Sequence, residues 1–334
     1  MPNVKIPLVF KIAASALLLV FVLSKVDIQA LLSTVSKSNL FLVLLGFLSS
    51  LVALLINTYK WQVLLAEPGA HLSYRELLRL NFIGLFYNLV FPGQVGGEVV
   101  KSVSLARMGV SGVTATVSVV ADRVTGLLAL FALGIMGALL TPSVTTVHPE
   151  LLPWLAGLAV AFAIATVVLV TGRGQMAILA VGRALRVGQA PGISSALPTP
   201  ATRGLAPERS EGSQLATPSI RSWSAMLAPL GLSLVVQATL VYTNLLLCYA
   251  LNIPLTYVQL LWIVAVVSLL QSLPISIAGI GVREGAYVYL LQQQGVDSSS
   301  ALALSLMVFA IQVVLAAVGG VLQLYTVVRE KRKS

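Results

Sequence analysis

Read for hydropathy, the chain is a succession of long apolar runs near 6 to 23, 38 to 57, 114 to 140, 151 to 171, 224 to 250, 255 to 273 and 299 to 328. About 20 residues at 1.5 Å each cross roughly 30 Å of hydrocarbon. Backbone groups in lipid must be satisfied within the segment, so each run predicts a helix. Two interruptions do not fit surface loops. "FPGQVGGEVVKSVSLARMGVS" from Phe91 and "LPISIAGIGVREGAYVYLLQQQGVD" from Leu273 each place a proline, a glycine-rich break and a glutamate between apolar arms. From Glu98 to Gly109 is eleven residues, and from Glu284 to Gly295 is also eleven, each glycine heading a "GV" before a long helix. The pattern predicts an internal repeat.

Charge distribution supports the same reading. If 255 to 273 crossed the membrane completely, Arg329, Lys331, Arg332 and Lys333 would emerge outside, against the positive-inside rule. If both breaks are tips of re-entrant hairpins, the first entering from the cytoplasm and the second from outside, both termini and the basic segment 172 to 222 fall in the cytoplasm. Only Lys25, Lys37 and Arg283 then lie towards the outside, with Arg123 inside the membrane. The arms Leu77 to Phe91, Glu98 to Met108, Leu260 to Leu273 and Arg283 to Gln294 are about 16 to 22 Å as helices, enough to reach the midplane without crossing. Three full spans between the hairpins invert the second repeat relative to the first, the broken-helix plan of many transporters. The expected fold is therefore all-α and polytopic: about six full spans plus two re-entrant Pro/Gly-broken hairpins in an inverted repeat.

Composition agrees. The 334 residues are 57% hydrophobic and 10% charged, with mean hydropathy +0.95, outside the range of soluble domains. We expect one membrane domain over 1–334: a first half (1–171), a flexible loop (172–222), a second half (223–328) and a basic tail (329–334). The loop from Gly188 to Ser222 is rich in Pro, Ala, Ser, Thr and Gly and lacks apolar periodicity. The N-terminal run has no convincing cleavage site after it and is read as an uncleaved helix. A net charge of +10 in a soluble chain would suggest nucleic acid, but here the basic residues track membrane sides and no nucleic-acid partner is expected. Cys248 is the only cysteine, and His71 and His148 stand alone, so neither disulfide nor metal site is expected.

"NLVFPGQVGGEVVKSVSLAR" (88 to 107), "ADRVTGLLAL" (121 to 130) and "LPISIAGIGVREG" (273 to 285) together resemble the lysylphosphatidylglycerol synthase transmembrane region. This is a family of flippase-like integral membrane proteins, and the resemblance covers roughly 8 to 328. It implies movement of polar lipids, such as aminoacylated phosphatidylglycerol, between leaflets of the bacterial inner membrane. Larger relatives add a soluble aminoacyl-transferase domain. Here "VVREKRKS" follows the last helix directly, so lipid lysylation by this chain is not expected.

Ionised groups at membrane depth cost on the order of 2.5 to 3.5 kcal/mol each and need partners or a wet cavity. The candidates for headgroup binding are Glu98, Lys101, Asp122, Arg123, Arg283 and Glu284, with Pro92, Gly93, Gly96, Gly97, Pro274, Ser276, Gly279 and Gly281 forming the hairpin tips. Glu98 begins a half-helix, where an anion is favoured, and either pairs with Lys101 at i+3 or faces a cavity. Arg283 and Glu284, as sequence neighbours on a helix, are expected to point apart and find other partners. Arg123 either grips a lipid phosphate or joins Asp122 and the hairpin glutamates in an ion network.

Three functions compete on these residues. A lipid flippase with no catalytic residue and no cofactor is the leading reading. A non-transporting partner of a lipid-modifying or glycosyltransferase enzyme is the second, and a membrane-embedded transferase using Glu98 or Glu284 as base is the third. No P-loop, paired-aspartate motif or dinucleotide fingerprint supports the last. A homo-oligomer is compatible with all three.

Overall fold

The computed structural model describes residues 28–65, 72–91, 96–142, 223–272 and 278–331, with Val144, Glu150, Ser276 and scattered positions between 153 and 164. In chain order the helices are α1 (Ile28–Ser36), α2 (Leu40–Leu64), α3 (Tyr74–Val90), α4 (Gly96–Arg107), α5 (Gly112–Leu139), α6 (Trp223–Ala250), α7 (Tyr257–Ser272), α8 (Val282–Gln292) and α9 (Ser298–Lys331). Four of them contain stretches long and apolar enough to cross a membrane: Leu40–Leu64, Thr114–Leu139, Met226–Ala250 and Ser298–Thr326. They match four of the six expected spans. The expected span at 6 to 23 lies outside the described residues. Of 151 to 171 only scattered positions are described, all helical. The short helix α1, packed on α9, has no counterpart in the hydropathy reading. The fold is all-helical and polytopic, as its sequence predicts.

The other four long elements form two helical hairpins. α3 and α4 run antiparallel: a Cβ on Gly97 would meet the Gly84 carbonyl and Asn88, and one on Gly84 would meet Lys101. α7 and α8 do the same, with Gln271 against Gly279 near the break and Gln259 Nε2 bonded to Gln294 Oε1 at 3.0 Å at the open end. At 17, 12, 16 and 11 residues, these arms are about 26, 18, 24 and 16 Å long, each short of roughly 30 Å of hydrocarbon.

The two halves are copies down to individual bonds. α3 begins with a capping box in which Ser73 and Glu76 satisfy each other's backbone, and α7 begins with the same reciprocal arrangement between Thr256 and Gln259. The tyrosine after each cap, Tyr74 or Tyr257, donates its hydroxyl at 2.9 Å to a carbonyl nineteen residues earlier, Leu55 O or Ala238 O. α4 and α8 both end in a left-handed glycine, Gly109 at φ 92° and Gly295 at φ 80°. The following valine N–H in each case reaches back five residues, Val110 to Leu105 O and Val296 to Leu291 O, closing the turn. Ser111 and Asp297 then cap α5 and α9 on the N–H three residues on.

The copies are inverted. α2 and α6, the opening helices of the two halves, lie antiparallel: Asn39 N–H bonds Ala250 O at 2.9 Å at one end, Gly46 packs on Leu247, and Ser50 meets Thr243. Each half also lends the long helix that follows its hairpin to the other's hairpin, α9 against α3 and α5 against α7. Small residues allow the approach. Gly319 and Gly320 of α9 face Phe82 and Phe86, and Gly134 and Gly137 of α5 face Ala265 and Leu261. The larger apolar cluster joins α7, α8 and α9 around Trp262, Tyr287 and Leu291, and a smaller one joins α2 to α5 around Trp61, Leu77 and Leu105. The hairpins are thereby wedged between halves.

Candidate functional site: a polar cavity between the two hairpins

A cavity of about 420 Å³ lies where the halves meet, lined from both. Its charged members are Lys60, Glu98, Lys101, Asp122 and Arg123, all from the first half. The second half contributes neutral polar groups, among them Ser233, Gln237, Thr243, Asn244 and Ser272. Four of the six charged candidates from the sequence are thus brought together, and with Lys60 the cavity holds three cations to two carboxylates.

Arg123 stands at the centre of the arrangement. Its Nη1 lies 3.3 Å from Glu98 Oε1 at the start of α4, and its Nη2 donates to Ser272 Oγ at 3.1 Å, at the end of α7. One guanidinium therefore bridges the breaks of both hairpins. The Arg123 and Glu98 side chains are 34% and 27% exposed, so this pair opens on the cavity. Gly97 donates its N–H to Asn88 Oδ1 at 2.8 Å, fixing the first turn of α4 against α3. The conformational reason for glycine here is the approach: a Cβ would sit 2.2 Å from the Gly84 carbonyl.

Lys101 does not pair with Glu98, as the i+3 spacing suggested it could. Its Nζ lies over the Trp61 ring, 5.0 Å from the centroid, and among the described residues no carboxylate is within ion-pair distance. In the second half the same register holds Tyr287 and Asn244, joined by a hydroxyl-to-amide bond of 2.6 Å. Asp122 is taken by a residue the sequence reading passed over. Lys60 Nζ is 2.8 Å from Asp122 Oδ1 and also donates to the Asp122 carbonyl at 3.2 Å. Lys60 is 2% exposed. The signal was present: "NTYKWQ" continues the apolar run of α2 in helical register, and a lysine inside such a run needs a carboxylate.

Arg283 and Glu284 differ from expectation on both counts. They pair with each other and not with other ions, through Arg283 Nη2 and, at 3.1 Å, Nε to Glu284 Oε1. They are also sealed, at 0% and 1% exposure, and do not line the cavity. Glu284 turns its other oxygen back to accept the Gly281 N–H at 2.6 Å, which holds its carboxylate over the start of α8 within reach of Arg283. The guanidinium further donates to Ser305 Oγ and Gln312 Oε1, both at 3.3 Å, and stacks 4.3 Å from the Phe309 centroid. Phe309 stands at the register that Arg123 occupies in the first half. The break before α8 is tightly wound, with positive φ at Ala278, Gly279 and Gly281. Ser276 is buried there, its hydroxyl without a partner among the described residues. Pro92, Gly93 and Pro274 lie outside the described residues; Gly96 and Gly97 open α4 as expected.

A family model described as the lysylphosphatidylglycerol synthase TM region matches residues 8–320. The chain belongs to that family. It is also similar to the UPF0104 membrane protein PH1989 of Pyrococcus horikoshii, 27% identical over 100 residues. That match spans 29% of this chain and 30% of the relative. Within the family match fall the charged residues of the cavity, both hairpins and the Arg283–Glu284 pair.

Proposed function

We propose that this family member is a flippase-like transporter that carries a polar, anionic or aminoacylated lipid headgroup between leaflets of a bacterial inner membrane. The observation that carries the reading is the polar cavity between the inverted halves, with Arg123 joining the two hairpin breaks. A volume of about 420 Å³ is of the size that holds a small ligand, whereas a solvated ionic network would need no such space. Headgroup transfer requires polar surface at depth while the acyl chains stay in lipid. A guanidinium matches phosphate oxygens two at a time, and Lys101 adds a cation with no carboxylate of its own. Rocking of the inverted halves would present the cavity to either side. The reading assigns no catalytic residue and no cofactor.

Its direct test is translocation of fluorescent phosphatidylglycerol in liposomes containing the purified protein. Wild type is expected to accelerate leaflet exchange and Arg123→Ala to lower the rate at least about tenfold, the loss of one charge-assisted contact. Equal rates in protein-free, wild-type and variant liposomes would end the proposal.

In this reading the hairpins are re-entrant, the first from the cytoplasm and the second from outside, with both termini cytoplasmic. Ala106 and Gln293, exposed at the open ends of the two hairpins, are the sites to label. With Cys248 replaced by alanine, Ala106→Cys should react with a membrane-impermeant maleimide only from the cytoplasmic side and Gln293→Cys only from outside. Labelling of both from one side would contradict the inverted placement.

A further inference from the structure

The inverted halves present the same glutamate in two different positions. Glu98 and Glu284 stand at equal distance before Gly109 and Gly295 and open the equivalent helices α4 and α8. Glu284 caps its own helix through the Gly281 N–H and keeps Arg283 beside it, closed to solvent. Glu98 has turned the other way, onto Arg123 of α5, at the cavity surface. The second half therefore displays where a glutamate of this register rests when its own helix start and a neighbouring guanidinium hold it and α9 offers no arginine, Phe309 standing at the register of Arg123.

We infer that Glu98 is an exchangeable counter-ion: a phosphodiester oxygen replaces its carboxylate on Arg123, and Glu98 turns back over the start of α4 as Glu284 does over α8. The inference rests on the transport reading above and names the chemistry its site takes, a singly charged phosphodiester. The charges balance for that ligand. Lys60 and Asp122 neutralise each other at 2.8 Å, and Arg123 and Glu98 do so at rest, so Lys101 is the remaining cation and one incoming negative charge completes the set. The exchange also avoids stranding a bare guanidinium in the cavity, since Arg123 has a carboxylate before it and a phosphodiester after it. Because Arg123 Nη2 is already held by Ser272 of α7, a ligand on Nη1 lies between the two hairpins.

The counter-ion competes with the ligand, and this gives an outcome opposite to that of a merely structural glutamate. Binding of dihexanoyl phosphatidylglycerol to the full chain in detergent is measured by calorimetry for wild type, Glu98→Gln, Glu98→Asp, Arg123→Ala and the Glu98→Gln/Arg123→Ala pair. Glu98→Gln should bind about tenfold more tightly, the size of one charge-assisted contact no longer displaced. Glu98→Asp should return the affinity towards wild type. Arg123→Ala should weaken binding, and the double variant should match Arg123→Ala, because Glu98 acts only through Arg123. Unchanged or weaker binding by Glu98→Gln overturns the inference; should that variant not fold, a Glu98→Asp affinity below wild type does so instead. Glycerophosphoglycerol, the same phosphodiester without acyl chains, serves as the chain-free arm, and binding equal to that of the lipid would assign the site to a soluble phosphodiester and overturn the lipid ligand. The two readings fail separately: tighter binding by Glu98→Gln without leaflet exchange in wild type removes transport alone, and exchange with unaltered Glu98→Gln affinity removes the counter-ion alone.

Discussion

Arg283→Met is expected to destabilise the protein by about 3 to 5 kcal/mol, the range for removing one partner of a buried ion pair. The residue is fully buried, and its guanidinium contacts Glu284, Ser305, Gln312 and the Phe309 ring. Methionine fills much of the volume but supplies no donor. Glu284, 1% exposed, would keep only the Gly281 N–H among the bonds seen here and would be an uncompensated charge. Adding Glu284→Gln to Arg283→Met should recover much of the loss, since an amide tolerates that site better than a lone carboxylate. Denaturant midpoints in detergent check both variants. Arg123→Met supplies the contrast: at 34% exposure and facing a cavity, its removal should cost the fold about 1 kcal/mol or less while acting on the proposed headgroup site. Equal destabilisation by the two substitutions would mean that the arginines do not divide into one lock and one site.

That division was only partly legible in the sequence. The apolar runs and the two Pro/Gly breaks located four spans and four hairpin arms to within about three residues except at the end of α2, because length and hydropathy are local properties. The repeat could be read from the eleven-residue spacing, and a second signature went unread. "SYRE" at 73 to 76 and "TYVQ" at 256 to 259 both have capping-box spacing with a tyrosine after the cap, and both are built alike. Lys60 lies beyond the apolar run read as 38 to 57, whereas α2 continues to Leu64 with the lysine paired inside.

Arg283 and Glu284 were misjudged for a different reason. Adjacent helical side chains diverge by about 100°, a sound rule in a helix interior. At a helix start the glutamate can fold back onto its own cap, and the long guanidinium can follow it. Which carboxylate faces the cavity depends on whether α5 or the hairpin itself supplies the arginine, and no local pattern encodes that.

The hairpin carrying Glu98 and Lys101 stays in place because α3 lies directly on α9, and the second large effect is expected there. A Cβ on Gly319 would be 1.9 Å from the Phe82 carbonyl and 2.4 Å from its carbon, against backbone that cannot rotate away. Gly319→Val must therefore move one helix off the other, and the expected cost is about 3 kcal/mol or more, at or above the upper end for overpacked interfaces. Gly320→Ala meets only the Phe86 ring, at 3.0 Å, and a small ring shift should hold its cost to about 1 kcal/mol. Gly231→Ala, with nothing within 4 Å, controls for the gain in helix propensity and should be neutral or slightly stabilising. Melting of the three variants in detergent, followed by size-exclusion profile, should rank Gly319→Val far below Gly320→Ala and Gly320→Ala below Gly231→Ala. The ranking follows from what each methyl group meets, so a Gly319→Val protein as stable as Gly231→Ala would mean that α3 and α9 do not touch in the membrane. The first hairpin would then lack the brace that sets Glu98 before Arg123.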